Sequence, residues 1–466
     1  MRGILAFGGY VPFRRLDRRT IAPVAGGGGG SGSRSVASYD EDTTTMGVEA
    51  ARAAIAGAPG VSPATLWFAT TAPAYADRTN ATTVHAALRL DRDVLAADAS
   101  GAVRSAVASL RSALVTPEPS LVVAADIRVG LPGSADETAG GDGAAALLVG
   151  DDADAPVLAE YLGGASATEE FLDRWRVPGE QRSKVWEERF GEGRYAALGE
   201  EAWERALKRT GLAAGDVDQL VVVGTHARAV ATVGKRLAGP TTTLADTLGA
   251  TVGHTGAAHP LLTLCAALEA AHPGQVIALV SLADGADVVV FRTTAALAGH
   301  RAARPVAAQI SSGGPIAYGK YLAWRGLLTV EPPRRPEPAR VSASAAGRSA
   351  AWKFGFVGSR DTRTGAVRMP PAVAGADPAA ELEPAPMADV AGTVATYTVD
   401  RLAYSPSPPV MFTVVDFDGG GRLPVELTDA DPDGVAIGMR VEPTFRRLSS
   451  ADGIHNYFWK VRPLRG

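Results

Sequence analysis

Two stretches of the chain repeat one order of apolar and polar positions. The first runs from Asp98 to Gly150. Ser105–Leu114 carries apolar residues at helical spacing, and Pro117 and Pro119 end it. Leu121-Val122-Val123-Ala124-Ala125 is a continuous apolar run of strand length, and a polar glycine loop separates it from a second such run, Gly143–Gly150. The second stretch begins with Gly253-His254-Thr255-Gly256-Ala257-Ala258-His259-Pro260 and enters the apolar run Leu261–Leu268. Gln275–Val280 then reads as a strand, the turn Asp284-Gly285-Ala286 follows, and Gly285–Phe291 reads as another strand. Helix, strand, glycine loop, strand in both places predicts a duplicated α/β unit in two pseudo-symmetric halves, because the period is too long for a solenoid.

The same alternation fills residues 1–328. Ile4–Val11 and Leu66–Thr70 predict strands, Asp42–Ala56 a helix, Glu201–Thr210 a helix, and Gln219–Gly224 a strand that ends at Thr225-His226. Ala25–Ser35 holds five consecutive glycines and predicts a flexible loop. Residues 163–205 are rich in Trp, Arg and Glu and predict an inserted helical excursion able to cap a site. Residues 329–347, with Glu331-Pro332-Pro333-Arg334-Arg335-Pro336-Glu337-Pro338, predict a stiff extended linker. Beyond it the helical periodicity stops. Gly392–Val399, Val410–Phe417, Leu423–Leu427, Arg440–Phe445 and Tyr457–Val461 predict five short strands of a small all-β barrel of the OB type.

Composition narrows the classes. The chain has 466 residues, 46% hydrophobic, with a net charge of −4, which gives no nucleic-acid footprint. No apolar run is long enough to span a membrane, and the N-terminus reads as a strand rather than a signal peptide, so a cytoplasmic protein is expected. A single cysteine, Cys265, excludes an intramolecular disulfide framework and a thiolate-based zinc site. It lies inside an apolar helix, where a thiol has little thiolate character, so packing is its expected role.

Residues 1–328 resemble the thiolase superfamily, and more narrowly hydroxymethylglutaryl-CoA synthase-like proteins of the prokaryotic type. The resemblance rests on Gly3–Pro12, Ser35–Thr43, Ala125-Asp126 with Gly140–Gly150, Gly224–His226 and Gly253–Leu264. Residues 348–385 and 386–466 resemble the DUF35 family, a rubredoxin-like ribbon followed by an OB fold, on Gly355–Arg360 with Met369-Pro370-Pro371, Gly392–Val399 and Val415–Arg422. The resemblance implies a layered α/β/α/β/α domain joined to a small all-β OB barrel. It further implies an acyl-CoA substrate, a homodimer, and a partner enzyme of the same pathway as a candidate.

The departures from that pattern bear on the chemistry. The family's acyl-accepting cysteine falls in Asp98–Ser105, which has none; one register places Val103 at its position, a shifted register Ser100. The family's acid/base glutamate falls in Thr70–Tyr75, which has no carboxylate. The family histidine is retained as His226, and His254 replaces an asparagine of the second-half loop. The catalytic expectation is therefore His226 as base or proton relay and His254 as polariser of a thioester carbonyl; the alternatives are a hydrogen-bonded histidine near the core and a turn histidine capping a helix start. Tyr75, Ser100, Asp142 and Gly285 are the candidate substrate-binding residues. Ordinary roles stand beside these: a partly buried tyrosine, a serine outside any nucleophile elbow, a turn-forming aspartate and a plain turn. His259 packs or caps beside Pro260. In the ribbon, Asp361 and Thr364 occupy the Cys-x-x-Cys positions, so zinc is not expected and Trp352, Phe354 and Phe356 must hold that segment by packing. Coenzyme A enters only as part of the substrate, and no separate cofactor is expected. Two functions follow: aldol or retro-aldol chemistry on a CoA thioester without a cysteine acyl-enzyme, or a non-catalytic acyl-CoA-binding scaffold.

Overall fold

A computed structural model describes residues 1–375 and 381–465; residues 376–380 of the expected ribbon and Gly466 at the end of the expected barrel lie outside the described residues. The period-2 runs form one ten-stranded sheet in two halves of identical order. In the first half, Arg2–Tyr10 is followed across the sheet by Gly143–Asp151, Ser120–Asp126, Thr65–Thr70 and Leu95–Ser100. In the second, Ala159–Ala167 is followed by Ala286–Thr293, Val276–Leu282, Gln219–Gly224 and Thr243–Leu244. The halves join where Gly3 and Ile4 pair antiparallel with Glu160 and Ala159.

Strand alternation sets the layers, since successive side chains leave opposite faces. Val122 and Ala124 point to the same core as Val221, Val223, Ile277 and Leu279, and helices Ser105–Val115 and His259–Ala270 fill the space between the halves. Leu121 and Val123 point the other way, onto helix Thr43–Ala56. Leu220, Val222, Ala278 and Val280 pack beneath helices Glu188–Thr210 and Ala227–Leu237. The result is the expected α/β/α/β/α order. Cys265 is wholly buried on the central helix, and burial raises its thiol far above the ordinary range.

The expectation of a helical excursion over 163–205 is corrected. Residues 159–167 are a strand that pairs with Ala286–Thr293, and the helix begins at Glu188 and belongs to the duplicated fold. Between them lies a short excursion built as a two-stranded ribbon, Arg174–Trp175 against Lys184–Val185. The polar, Trp- and Arg-rich composition there reflects surface exposure, not helix formation.

Beyond the linker, Val357–Asp361, Val367–Arg368 and Leu382–Pro386 form a three-stranded sheet. The Asp361 carboxylate accepts the backbone N–H groups of Arg363 (3.0 Å) and Thr364 (2.9 Å), closing the turn itself, and these bonds lower its pKa. Phe356 is fully buried and stacks on Trp352 (5.2 Å) and Trp459 (5.5 Å), so the ribbon packs on the barrel through the expected aromatics. The barrel closes in the order Gly392–Asp400, Val410–Phe417, Arg422–Leu427, Ile454–Pro463, Arg440–Ala451. The last two strands are longer than expected because they continue as a hairpin onto the α/β domain.

That docking is ionic and buried. Arg446, fully buried, reaches Glu41 (2.8 Å), Asp429 (2.7 Å) and Asp40 (3.4 Å). Lys460 reaches Asp40 (3.0 Å) and Glu426 (2.7 Å), while Glu49 gathers Arg462, Arg52 and Arg304, each at 2.8 Å. The Arg447 N–H also donates to the Asp40 carbonyl (2.9 Å), and Tyr457 donates to Asp42 (2.8 Å), the N-cap of helix Thr43–Ala56. Removing one member leaves the others desolvated without a partner. Arg446→Ala is expected to lower stability by about 3–5 kcal/mol, seen as a shifted urea-denaturation midpoint, while the wild-type barrel and α/β domain unfold in one calorimetric transition.

Candidate functional site

The cleft that the two halves leave open at the carboxyl ends of their strands has a volume of about 490 Å³. The first half contributes Thr71, Ala72 and the turn Gly101-Ala102-Val103 ahead of helix Ser105–Val115; the second contributes Thr225, Ala283 and Asp284. The ribbon of residues 174–185 forms one wall with Arg174, Trp175, Arg176 and Glu180. Val103 faces this space at the helix entrance, while Ser100 ends the edge strand in an exposed position.

A small side pocket of about 30 Å³, the size of one water molecule, shares Thr225, Arg128 and Arg174 with the cleft and is floored by His254. The loop carrying His254 is laced to the first half: its N–H donates to the Ala139 carbonyl (2.8 Å), and Gly141 donates to its carbonyl (3.1 Å). The Gly256 N–H donates to His254 Nδ1 (3.1 Å), so the ring proton of the neutral imidazole sits on Nε2. That Nε2 is buried and has no hydrogen-bond partner among the described residues. Burial, His259 and the nearby Arg128 and Arg174 hold His254 well below the usual imidazole range. The His259 ring lies 4.2 Å from it, accepts the Thr255 N–H, and is pushed by burial down to about 3. His254 is thus a neutral N–H donor held by its own loop, and the residue lines the side pocket.

His226 is placed differently. Its Nδ1 accepts the Ala229 N–H (3.1 Å), capping helix Ala227–Leu237, and its Nε2–H donates to the Glu188 carbonyl (2.8 Å). Both ring nitrogens are engaged by backbone, so this geometry leaves no lone pair for the expected base. Tyr75 lies at the barrel seam, where its hydroxyl accepts the His455 N–H (2.8 Å) and its ring meets His455. Asp142 is corrected too: fully buried, it pairs with Arg34 (3.4 Å) and Arg325 and accepts the N–H groups of Ala37 (2.7 Å) and Arg128 (2.9 Å). Its carboxylate is spent on fixing loops. Gly285 forms a turn that Arg104 clasps through the Asp284 carbonyl (2.7 Å), and its neighbours Ala283 and Asp284 face the cleft in its stead.

Residues not expected complete the site. Arg128 donates to the Thr71 hydroxyl (3.3 Å), and Arg176 donates to the Thr71 carbonyl. Arg174 forks onto Asp136 (2.6 and 3.0 Å). Asp284, with φ of 47°, carries a carboxyl raised by burial and by Asp173 and Glu170 although Arg104 opposes this. Tyr195 sits between the Asp173 carboxylate and the Asp284 backbone, and burial raises it beyond the ordinary phenol range. Scattered arginines carry no spacing signal, so sequence could not single them out.

The comparisons agree with this geometry. A hydroxymethylglutaryl-CoA synthase from Aeropyrum pernix is 30% identical over 346 residues, 70% of this chain and 95% of the relative. One from Pyrococcus furiosus is 30% identical over 299 residues, 62% of this chain and 85% of the relative. The chain belongs to the hydroxymethylglutaryl-CoA synthase family. Residues 207–291 match the 3-oxoacyl-[acyl-carrier-protein] synthase III C-terminal family, and residues 385–446 match the ChsH2 C-terminal OB-fold domain. Among solved structures, an HMG-CoA synthase complexed with CoA has a TM-score of 0.60 at 18% identity, covering 69% of this chain and 89% of its own. A curacin-pathway HMG synthase in complex with holo donor-ACP has a TM-score of 0.59 at 18% identity, covering 70% and 88%. These likenesses establish the synthase fold. No helix among the described residues is long and apolar enough to cross a membrane.

The two buried imidazoles make a pH signature. Their folded pKa values lie below the unfolded value of 6.5, so the unfolded chain binds more protons in acid. The stability they leave intact above pH 6.5 is lost as pH falls toward about 3, by up to about 1.4 kcal/mol per pH unit for each ring. Urea denaturation at stepped pH between 7.5 and 5 should show this decline, with a shallower slope for His259→Gln.

Proposed function

We propose that this member of the synthase family binds an acyl-CoA in the cleft between its halves and makes or breaks a carbon–carbon bond of the thioester without forming an acyl-enzyme. The observation that carries the reading is the pairing of Val103 at the nucleophile position with the unpartnered N–H of His254 beside the same cleft. Valine offers no nucleophile, which removes the covalent route. A fixed N–H donor withdrawn from bulk water stabilises negative charge that develops on a thioester oxygen, and that is what an enolate requires.

The proton acceptor is Asp284. It is the second half's carboxylate at the cleft, and its raised pKa brings it nearer to working pH. In the condensing direction Asp284 takes the α-proton, His254 holds the enolate oxygen, and the enolate carbon adds to a carbonyl whose oxygen becomes the hydroxyl on taking up a proton. The cleaving direction runs these events in reverse. This assigns to Asp284 the part first expected of His226. A second reading, a non-catalytic acyl-CoA-binding scaffold, draws support from the backbone-locked His226 ring.

Incubating the purified chain with a panel of 3-hydroxyacyl-CoA esters, and with acyl-CoA plus aldehydes or ketones, followed by mass spectrometry, tests the reading. Turnover is expected that Asp284→Asn abolishes and His254→Ala lowers about 10²–10³-fold in kcat, with no acyl adduct on the intact protein. Tight binding without turnover on any ester selects the scaffold, and an acyl adduct on the chain refutes the non-covalent route.

A further inference from the structure

Away from the cleft, the seam between the α/β domain and the barrel holds another cavity, of about 260 Å³. Arg14, Tyr39, Lys320 and Trp324 line it from the α/β domain, and Asp429 and Asp431 from the barrel. Three of its polar groups lack a counterpart. Asp429 is 4% exposed; its Oδ2 accepts from Arg446 at 2.7 Å, whereas its Oδ1 is buried with no hydrogen-bond partner among the described residues. Arg465 donates to the Asp429 backbone carbonyl, not to the carboxylate. The Trp324 Nε1–H is likewise buried and unpartnered among the described residues. Lys320 rests over the Trp324 ring, its Nζ 5.3 Å from the centroid, with no ion pair among the described residues. Burial and Arg14 lower its pKa, and Asp431 opposes them from a distance. Arg14 meets Asp431 at 3.6 Å, but that aspartate side chain is 79% exposed, so solvent screens the pair. Asp429 also borders a cavity of about 90 Å³, yet the two cations and the indole N–H stand on the larger one alone. A buried acceptor and a buried donor without partners each carry a desolvation cost, which a ligand with the complementary groups removes.

We infer that the seam cavity is a binding site for a small organic acid that carries its own hydrogen-bond donor, an amino or a hydroxy acid. Lys320, Arg14 and the Trp324 N–H receive its carboxylate, and its amino or hydroxyl group donates to Asp429 Oδ1. The set of unmet groups decides the class. A plain carboxylate answers the cations and the indole but leaves Asp429 Oδ1 without a donor, and a plain amine does the reverse. The walls belong to both domains, so the ligand is complete only when the barrel is docked, and it stabilises the docked state by mass action. None of the residues that line the catalytic cleft takes part, and the inference stands apart from the acyl-CoA reading.

Thermal unfolding of the whole chain against the common amino acids, 2- and 3-hydroxy acids, and the matching plain acids and plain amines tests this, with isothermal titration of every compound that shifts the midpoint. At least one amino or hydroxy acid is expected to raise the midpoint saturably and to bind at least about tenfold tighter than its plain acid and its plain amine, as a charge-assisted bond warrants. Lys320→Gln and Trp324→Phe should each weaken that binding about three- to tenfold, the range of one lost hydrogen bond. Lys320 is exposed, so its variant keeps the ligand-free midpoint and decides the matter even where Trp324→Phe shifts it. A plain acid that binds as tightly overturns the part given to Asp429, and a plain amine that does so overturns the part given to the cations. Saturable binding by no compound, or binding that both variants leave unaltered, overturns the site.

Discussion

The Asp126 carboxylate is the constraint on which the cleft depends. It ends the central strand of the first half, and it is fully buried. One oxygen takes the Thr70 hydroxyl and the Thr71 N–H; the other takes the Thr71 hydroxyl and, from the second half, the Ala257 N–H at 2.8 Å. An ionised group withdrawn from water is tolerated only when such donors replace its hydration. Because one donor comes from the other half, the bonds that satisfy the charge also fix the distance between the halves. The fit leaves no room: a Cβ at residue 256 would lie 1.9 Å from the Asp126 oxygen, and its φ of 57° disfavours any side chain, so Gly256 is required there. The glycines of the motif around His254 thereby have a mechanical cause, and the histidine is aimed by the backbone they allow.

With that frame held, the cleft takes its polarity from several elements. The first half supplies an apolar Val103 at the entrance to helix Ser105–Val115. The ribbon of residues 174–185 supplies arginines, and the second half supplies a neutral imidazole donor and Asp284. A donor fixed by its own Nδ1 bond needs no reorganisation when charge develops beside it, which is how preorganised sites gain over water. The same bond makes His254 a poor base, since the nitrogen facing the pocket already carries a proton.

How much of this the sequence disclosed depends on whether a signal was local. Strand runs such as Leu121–Ala125 were legible as short continuous apolar runs, because this strand is buried on both faces, and the helix Ser105–Val115 through its 3.6-residue period. The duplication, the barrel strands and the loop bearing His254 followed from the same periodicity and from glycine placement. The tryptophan- and arginine-rich segment after Ala167 was misread because no period distinguishes a short exposed ribbon from a helical insert. Asp142 was legible as a loop residue next to the conserved order of strands, but not as an ion whose partners, Arg34 and Arg325, lie more than a hundred positions away in the chain. Long-range pairing leaves no local trace, and the cleft arginines were hidden for the same reason.

The barrel makes the point most sharply. Arg446 and Lys460 are charged residues within strands, yet both are buried against the loop of residues 39–42 and against acids of the barrel itself. Burial pushes Glu41 up to about 7, and the fields of Lys460 and Arg446 overcome burial to bring Asp40 down to about 2. Apolar contact could have joined the two domains with less desolvation cost. An ionic seam instead fixes one register, because each charge finds its counterion in only one relative position. Arg447 and Tyr457 place that register at Asp42, the N-cap of helix Thr43–Ala56, and the Thr43 hydroxyl of the same helix donates to the Ala72 carbonyl at the cleft. Barrel docking and cleft shape are therefore mechanically continuous through one helix terminus, and a ribbon closed by Asp361 rather than by thiolates leaves the barrel tethered by this seam and by the aromatic stack on Phe356.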